Sequence, residues 1–404
     1  MRILIADAIS EDRLDHLREQ GHDVVTEPAL KSDELVDHVA GIDVLVVRST
    51  KVSAAAIDAA DRLGLIVRAG AGTDNIDVAA ASARGIFICN VPGRNAVAVA
   101  ELTMGLILSI DRRIPANVAD LRAGQWNKGL YSQAAGLLGS KIALIGLGGI
   151  GLAVAERAKA FGITPMAARR SGRSAQVQAR IRNTGVSLFD TDEELLADAD
   201  IVSLHVPRSP ETTALVNDQF LAMMKPGAML VNTSRAEVVD EQALLRAIET
   251  TGLRVGLDVW PNEPSGKTGS YQSELAQHPQ VIGTHHIGAS TQQAQDSVAE
   301  GTIEVIESYT RGQVQHCVNL DQNALGTSCL TIRHLDRVGV LANVFGVLRR
   351  NGLNVQQVQN QIFSGADAAV ATVYLSGHSS PELLDQLVAI DEVLAAAAVA
   401  VDGQ

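Results

Sequence analysis

The sequence contains few of the residues that build metal centres, disulfide frameworks or nucleic-acid surfaces. Its 404 residues include 3 cysteines, and aromatic residues make up 3%. An odd number of cysteines without CxxC or Cys/His spacing indicates neither a disulfide framework nor a zinc site, so we expect no metal. A net charge of −13 and the lack of a basic run with interleaved aromatics argue against nucleic-acid binding.

Long apolar runs are also missing. None is long enough to span a bilayer, and the N-terminus lacks the basic segment and apolar stretch of an export signal. Met1 leads directly into RILIADA, which has the pattern of a strand. We therefore expect a soluble cytoplasmic protein with reduced thiols and no membrane contact. Because the net charge is negative, an anionic substrate has to be attracted by local arginines.

Aliphatic residues and short apolar runs dominate what is present. Hydrophobic residues make up 46% of the chain, and the apolar runs alternate with amphipathic stretches. This alternation predicts an α/β fold with two doubly wound, Rossmann-like parallel sheets. The predicted strands include RILIA, DVVTE, DVLVV, LIVRA and IFICN in the first sheet, and DIVSLHV, AMLVNTS, RVGLDVW and QVIGTHH in the second.

Glycines after one apolar run indicate a dinucleotide site. The segment that opens KIALIGLGGIG has the order strand, glycine turn, helix and second strand. Gly146 permits the sharp turn, Gly148 leaves room for a pyrophosphate beside the backbone, and Gly151 lets the helix pack closely on the strand. The helix N-terminus offers free N–H groups to the anion. The alternative is a purely structural glycine turn.

The end of the second strand bears on which dinucleotide binds. An acidic residue there would bind the ribose 2′-hydroxyl of NAD, whereas an arginine would pair with the 2′-phosphate of NADP. This sequence has Arg169 and Arg170, followed closely by Ser171 and Arg173. The arginines favour NADP(H). The alternative is a solvated basic loop, with NAD(H) held by backbone contacts.

The pattern divides the chain into three domains. We expect residues 1–95 and 288–315 to form a substrate-binding domain, and residues 96–287 to form the dinucleotide-binding domain. The second of these begins with a long apolar helix at Ala96–Ile114. After a polar linker at 321–326, residues 327–404 follow the order βαββαβ of a ferredoxin-like domain. That domain lacks reactive clusters, so regulation or assembly is the expected role.

Three polar residues follow predicted strands where a nicotinamide would lie. Arg235 follows MLVNTS, Glu263 follows GLDVW, and His286 follows VIGTH. Oxidising a secondary alcohol needs a base with a pKa near neutrality, which a histidine beside a carboxylate provides. A guanidinium can hold the neighbouring substrate carboxylate with two hydrogen bonds. Taken singly, each residue has an ordinary alternative: a surface ion pair, a turn glutamate and a structural histidine.

Together with their flanks, these residues resemble the D-isomer-specific 2-hydroxyacid dehydrogenase family. The segments GLGGIG, SLHVPRSPET, MKPGAMLVNTSRAEVVDEQAL, GLDVWPNEP and HIGASTQQAQ carry the resemblance, which extends over nearly the whole chain. It implies that Arg235, Glu263 and His286 are the catalytic set. It also implies a homodimer or homotetramer, in which Trp126, Asn127 and Lys128 reach across to the other subunit.

The resemblance also implies residues that bind cofactor and substrate. The cofactor residues would be Gly146, Gly148, Gly149, Ile150, Gly151, Arg169, Arg170, His205, Pro207, Thr212, Thr233 and Asp258. The substrate residues would be Arg48, Ser49, Ala71, Gly72, Asn95 and Lys128. For Arg48 the alternative is a salt bridge on a domain rim.

The final segment resembles an ACT domain, a module that senses small molecules. RHLDRVGVLANVFGVLRRNGLNV carries this resemblance, which implies an effector site at His334, Asp336 and Asn354. Serine is the effector in some relatives of this kind. Here Asp336 replaces an amide found in some of them, which leaves serine open, and the alternative is an assembly domain without a ligand.

The resemblance implies that the reaction is the oxidation of 3-phosphoglycerate to 3-phosphohydroxypyruvate with NADP or NAD, the first step of serine biosynthesis. Several positions depart from the family pattern: His285 replaces a proline, Ala236 a glycine, and Arg169 an acidic residue. Arg169 leaves open an NADPH-dependent reductase of glyoxylate or hydroxypyruvate. A nucleotide-sensing corepressor on the same fold is the non-enzymatic alternative.

Overall fold

The structure is a computed structural model that describes residues 1–173, 175–264, 268–321 and 326–400. The chain forms two compact units, Met1–Asn319 and Leu320–Gln404. Of the predicted linker at 321–326, residues 322–325 lie outside the described residues. The same holds for residues 401–404 of the predicted C-terminal domain.

The first unit begins with a parallel sheet of five strands in the order β2-β1-β3-β4-β5. Its elements are β1 (Arg2–Ile5), α1 (Glu11–Glu19), β2 (Asp23–Thr26), β3 (Val44–Val47), α2 (Ala54–Ala59), β4 (Leu65–Arg68), α3 (Val78–Ala83) and β5 (Phe87–Asn90). The strands are short because β-branched and aliphatic runs of four or five residues are bounded by polar turns.

Three helices then lead to the second sheet: α4 (Ala96–Arg112), α5 (Ile114–Arg122) and α6 (Lys128–Tyr131). Arg113 takes a left-handed conformation with φ of 49°, and Pro115 follows in the first turn of α5, so the chain breaks between α4 and α5. Most of α4 is buried against the second sheet through residues such as Met104 and Ile107, as its apolar composition predicts.

The second sheet has seven parallel strands in the order β12-β11-β10-β9-β6-β7-β8. Its strands are β6 (Lys141–Ile145), β7 (Thr164–Ala168), β8 (Ser187–Phe189), β9 (Ile201–Leu204), β10 (Met229–Asn232), β11 (Arg254–Leu257) and β12 (Val281–Gly283). Its helices are α7 (Gly149–Ala160), α8 (Ala175–Thr184), α9 (Asp192–Asp198), α10 (Asp218–Ala222), α11 (Glu241–Thr251) and α12 (Glu274–Gln277). The strand order reverses between β6 and β9, which is where such sheets bind ligands.

The chain returns to the first sheet through α13 (Gln292–Thr310). Ile303, Val305 and Ile306 of this helix lie in one buried cluster with Val44 and Leu65 of the first sheet. The predicted α/β fold with two Rossmann-like parallel sheets is therefore confirmed.

The second unit is a four-stranded antiparallel sheet in the order β14-β15-β13-β16. Its elements are β13 (Ser328–Leu335), α14 (Val340–Arg350), β14 (Asn354–Ile362), β15 (Ala368–Ser376), α15 (Pro381–Val388) and β16 (Val393–Ala400). Both helices contribute to a core that includes Val344, Leu348 and Leu387. The predicted order βαββαβ is present.

Candidate functional site

The glycine turn between β6 and α7 lies at the point where the strand order reverses. Gly146 has φ of 106°, and a Cβ there would lie 2.5 Å from the backbone oxygen of His205. A Cβ on Gly151 would collide with the carbonyl oxygen of Gly146, so both glycines are needed for packing. A Cβ on Gly148 would meet no heavy atom within 4 Å, so the space in front of this backbone is open.

The N-terminus of α7 faces this open space. Gly148 is the N-cap residue, and Gly149 and Ile150 begin the helix. The first intrahelical bond at this end runs from the N–H of Leu152 to the oxygen of Gly148. The preceding N–H groups have no intrahelical acceptor, which suits a pyrophosphate. The turn therefore has the geometry that a dinucleotide requires.

His205 lies beside the turn as a neutral imidazole. Its Nε2 is 2.9 Å from the Oγ of Ser203, and burial lowers the pKa of His205 to about 4. Its Nδ1 is buried and has no partner among the described residues, and the same is true of the Oδ1 of Asn95. Such buried polar atoms usually find a hydrogen-bond partner, so both fit a site completed by a bound cofactor.

The arginines after β7 are largely engaged within the protein. Arg169 donates to Asp190 at 2.9 Å, and Arg170 donates to Asp192 at 2.7 Å. Arg173 forms no ion pair with the part of the chain that the structure describes, and its nearest acceptor is a backbone oxygen at 3.5 Å. Burial, followed by the nearby Arg170, lowers the pKa of Arg173. Three guanidiniums and two carboxylates therefore share this rim.

Other predicted cofactor residues lie at the ends of β9 and β10. Thr212 donates to the carbonyl oxygen of Pro207 at 2.6 Å and so closes the turn after β9. Thr233 is buried, with its hydroxyl 3.0 Å from that of Thr103 on α4. Thr233 directly follows β10 and so lies at the carboxyl edge of the sheet, whereas Thr212 belongs to the turn after β9.

His286 and Glu263 form a hydrogen-bonded pair at the ends of β11 and β12. The Nδ1 of His286 is 2.7 Å from the Oε2 of Glu263. The other carboxylate oxygen of Glu263 accepts the N–H of Trp260 at 2.8 Å, which orients the carboxylate. Half of the His286 side chain is exposed, so the imidazole can reach a ligand while Glu263 holds it from behind.

Each partner favours the charged form of the other. The hydrogen bond to Glu263 raises the pKa of His286 and outweighs the burial that opposes it. Burial acts to raise the pKa of Glu263, but its hydrogen bonds to His286 and Trp260 outweigh this and lower it. The pair is thus an ionised carboxylate beside an imidazole that binds a proton readily, as general acid–base chemistry requires.

Asp258 fixes the loop that carries His286. Its carboxylate accepts the N–H of Ile287 at 2.9 Å, the N–H of Gly288 at 2.8 Å and the hydroxyl of Thr284 at 2.6 Å. These bonds hold His286 at φ of 52°, a conformation that non-glycine residues rarely adopt. Asp258 was predicted as a cofactor residue, and its contacts in the structure are with this loop.

Arg235 spans from the second sheet to the first. Its Nε donates to Asp74 at 2.8 Å, and its Nη1 donates to the carbonyl oxygen of Ser234 at 2.8 Å. Its Nη2 lies where a Cβ of Gly72 would be. Gly72 and Asp74 both follow β4, so this loop of the first sheet determines how the guanidinium is placed.

The substrate residues predicted in the first sheet lie on two loops. Asp7 accepts the N–H groups of Arg48, Ser49 and Thr50 at 2.7, 3.0 and 3.0 Å, which fixes the loop after β3. The loop after β4 is fixed by Asn90, whose amide donates to the carbonyl oxygen of Ala71 at 2.6 Å. Both loops lie at the carboxyl edge of their sheet.

Arg68, Asp7 and Asp74 belong to this region but were not predicted from the sequence. Arg68 ends β4, and its Nε is buried without a partner among the described residues. Burial, followed by the charges of Arg235 and Arg48, lowers the pKa of Arg68 to about 10. The three arginines therefore act on one another electrostatically. Arg68 follows an apolar run, as Arg48 does, so its position at a strand end could have been used to predict it. No sequence pattern distinguishes Asp7 or Asp74 from other aspartates.

Lys128 begins the short helix α6 and is exposed. Helix α5 before it has no buried residue, and its Ile114, Val118 and Leu121 are 45, 38 and 53% exposed. The side chain of Trp126 is exposed as well. These residues form an apolar surface on the first unit.

Two of the predicted effector residues, His334 and Asn354, lie at opposite ends of the second unit's sheet within one chain. His334 is buried opposite Ala369, and its Nε2 is 3.1 Å from the Oδ1 of Asn360. Asn354 lies at the other end of the sheet, opposite Ser376. Ala369 and Ser376 are seven residues apart on β15, which corresponds to about 23 Å. A site that includes His334 and Asn354 would need a second copy of the chain.

Comparisons with known proteins place these observations in a family. The family model described as "D-isomer specific 2-hydroxyacid dehydrogenase, NAD binding domain" matches residues 104–288. A D-3-phosphoglycerate dehydrogenase of Methanocaldococcus jannaschii is 38% identical over 81% of this chain and 61% of that protein. A hydroxypyruvate reductase of Thermotoga maritima is 38% identical over 76% of this chain and 96% of that protein.

The solved structures agree with these relatives. The TT0316 protein of Thermus thermophilus is 33% identical and superimposes with a TM-score of 0.69, which covers 79% of this chain and all (100%) of that one. The chain spans 61, 59 and 49% of the length of three curated relatives that it matches. Among the described residues, no helix combines the length and the apolar character needed to cross a membrane.

Proposed function

Since the chain belongs to the D-isomer-specific 2-hydroxyacid dehydrogenase family, we propose that it interconverts a small D-2-hydroxy acid and its 2-oxo acid. A bound nicotinamide dinucleotide would supply the hydride acceptor or donor. The observation that carries the proposal is the His286–Glu263 pair, with Arg235 close enough to act on the pKa of both residues. A candidate acid–base group and a candidate carboxylate anchor thus lie near each other.

Each of the three residues has one task in this reaction. His286 accepts the proton of the substrate hydroxyl during oxidation and returns it to the carbonyl oxygen during reduction. Glu263 holds the imidazole through Nδ1, so that Nε2 faces the substrate. Arg235 binds the substrate carboxylate and fixes the reacting carbon beside His286. Asp74 and Gly72 position Arg235.

We expect 3-phosphoglycerate as the substrate, with 3-phosphohydroxypyruvate as the product, in serine biosynthesis. Arg235 accounts for one carboxylate, and a phosphate needs further cations. Arg48 and Arg68 supply them at the neighbouring strand ends, and the buried Nε of Arg68 has no partner among the described residues. The N–H groups of Ala71 and Gly72 likewise donate to no acceptor in the described chain.

A reductase of hydroxypyruvate or glyoxylate is the second candidate. The Thermotoga relative with that name is matched over 96% of its length. Steady-state reduction of 3-phosphohydroxypyruvate, hydroxypyruvate and glyoxylate separates the two. A kcat/KM highest for the phosphorylated acid, which falls to the level of hydroxypyruvate in Arg68→Ala, supports the first candidate. Equal values for hydroxypyruvate and its phosphate in the wild type favour the second.

NADP(H) is the cofactor that we place first, because Arg169, Arg170 and Arg173 follow β7, at the strand end where we expect the 2′-phosphate to bind. NAD(H) remains the alternative, since Asp190 and Asp192 already pair with two of these arginines. Arg173→Ala should raise KM for NADPH and leave KM for NADH unchanged, and Arg169→Asp should shift preference toward NADH. Equal effects on both cofactors would refute the preference.

The second unit is proposed to be an ACT-like regulatory module and the protein a homodimer or homotetramer. The apolar surface of α5 and Trp126 supports association of two copies. The separation of His334 from Asn354 also requires two copies for an effector site. Titration with L-serine, monitored by dehydrogenase rate, tests serine as the effector. Inhibition that is lost in Asn354→Ala is the expected result.

A further inference from the structure

Two cysteines that are 228 residues apart in the sequence face each other beside β5. Cys89 lies in β5, and the segment that follows α13 runs antiparallel to this strand, with Cys317 opposite Cys89. The N–H of Asn90 donates to the oxygen of His316 at 3.2 Å, and the N–H of Val318 donates to the oxygen of Ile88 at 2.8 Å. These two bonds flank the cysteines, so the cysteines form a non-hydrogen-bonded pair.

This kind of pair is suited to a disulfide. Its Cα atoms lie about 4.5 Å apart and both side chains point to the same face. Disulfides join Cα atoms that are about 4.4–6.8 Å apart, so no backbone movement is needed. Both thiols are free and pack in the same apolar cluster, with Cys89 fully buried and Cys317 partly exposed. Burial, followed by the interaction with the Cys317 thiol, raises the pKa of Cys89 to about 12.

Asn319 holds the segment of Cys317 in this register. Its Oδ1 accepts the N–H of Ile88 at 2.8 Å and the thiol of Cys317 at 3.2 Å. Its amide donates to the oxygen of Ile86 at 2.9 Å. These contacts therefore keep Cys317 in register opposite Cys89.

We propose that Cys89 and Cys317 are a reversible dithiol–disulfide pair that exchanges with small disulfides such as glutathione disulfide. The partly exposed Cys317 thiolate attacks the glutathione disulfide, forming a mixed disulfide and releasing one glutathione. The Cys89 sulfur then attacks the sulfur of Cys317 and releases the second glutathione. Two electrons and two protons pass from the protein to the two glutathione molecules.

The disulfide would join β5 to the chain just before the second unit begins at Leu320. The next residue of β5, Asn90, holds the loop of Ala71 that we assign to substrate binding. Closing so long a loop restricts the unfolded chain, so the oxidised protein should unfold at a higher temperature than the reduced one. Reduction with dithiothreitol should reverse this change.

Incubation of the full chain with glutathione disulfide tests the proposal. Thiols counted after denaturation should fall from three to one, and peptide mass spectrometry should find Cys89 linked to Cys317. Cys329 lies in the second unit, so Cys329→Ser should leave the linkage intact. Cys317→Ser should abolish it, and Cys89→Ala should leave a stable glutathione adduct on Cys317.

Three free thiols after prolonged oxidation would overturn the proposal, as would a linkage through Cys329 or a glutathione adduct on wild-type Cys317 that never closes. The wild-type measurement is independent of how well either cysteine variant folds. It is also independent of the dehydrogenase proposal, because no readout requires turnover.

Discussion

At the scale of single residues, Gly72 matters because it has no side chain. The space that this leaves is occupied by the guanidinium of Arg235, which we propose to bind the substrate carboxylate. A methyl group there would occupy the position of Arg235 Nη2. Since this atom ends a flexible side chain, we expect Gly72→Ala to fold normally but to displace the guanidinium. The predicted result is a fall in kcat/KM of about 10²-fold, or roughly 2.7 kcal/mol, with little change in Tm.

Gly105 in α4 provides the matched control, because a Cβ there meets no heavy atom within 4 Å. Gly105→Ala adds the same methyl group and should leave kcat/KM unchanged. If Gly72→Ala retained wild-type kcat/KM, the placement of Arg235 by this loop would not matter for binding.

The carboxylate of Glu263 sets the pH range of the reaction. Its hydrogen bond raises the pKa of His286, so Glu263→Gln should lower that pKa. Reduction needs the protonated imidazole, and its rate should therefore decline at a lower pH in the variant than in the wild type. Oxidation needs the neutral imidazole and should extend to lower pH. Rate–pH profiles in both directions measure this, and unshifted profiles would contradict the assigned pairing.

Residues next to strand ends could be predicted from the sequence, whereas their supports could not. A histidine that acts as the base of this reaction needs a carboxylate beside it, which is why His286 and Glu263 were predicted together. In the structure the Nδ1 of His286 lies 2.7 Å from the Oε2 of Glu263. Asp7 and Asp74 act by accepting backbone N–H groups or by pairing with Arg235, which is 161 residues away from Asp74. Nothing local to either aspartate distinguishes it from a surface carboxylate.

At the scale of elements, the glycine turn before α7 contains two glycines that the fold needs and one that only cofactor binding should need. Gly146 and Gly151 are fixed by packing, but a Cβ on Gly148 meets nothing within 4 Å, and its φ of −76° suits any residue. Gly148→Val should therefore keep the Tm of the wild type and raise the Kd for NADH and NADPH alike, by about 10-fold or more. Fluorescence titration of both cofactors checks this. Unchanged affinity would place the pyrophosphate elsewhere.

Strands and long helices were predictable because the spacing of apolar residues along the chain and the apolar content of each segment determine them. All five strands expected in the first sheet are present, and α4 ends two residues before the expected Ile114. The stop comes from the left-handed Arg113, which has no sequence signal beyond the following proline. The pairing of the segment at 316–318 with β5 was also missed, because three residues are too few to show strand periodicity.

At the scale of the whole molecule, every residue assigned to the reaction lies in the first unit. That unit has its own buried clusters, and the fully covered Thermus thermophilus structure matches 79% of this chain. A chain that ends at Asn319 should therefore keep kcat and KM within about two-fold of the full chain while losing any response to L-serine. Loss of turnover in a folded truncated protein would show that the second unit contributes to catalysis.

The sequence predicts the overall architecture more completely than it predicts which dinucleotide binds. Alternating strands and helices fix the sheets, whereas the sequence predicts Arg169 and Arg170 either as partners of a 2′-phosphate or as part of a solvated basic loop. The structure pairs them with Asp190 and Asp192 from the next strand end. Long-range ion pairs of this kind depend on the assembled sheet and have no pattern along the chain.

The most direct test of the account is the single substitution His286→Asn, assayed by nicotinamide absorbance with 3-phosphohydroxypyruvate or hydroxypyruvate. We predict that the wild type forms only the D-hydroxy acid, and that the variant loses about 10²–10⁴-fold in kcat while its Kd for the cofactor stays unchanged. A variant with near wild-type kcat would contradict the assignment of His286 as the group that moves the proton.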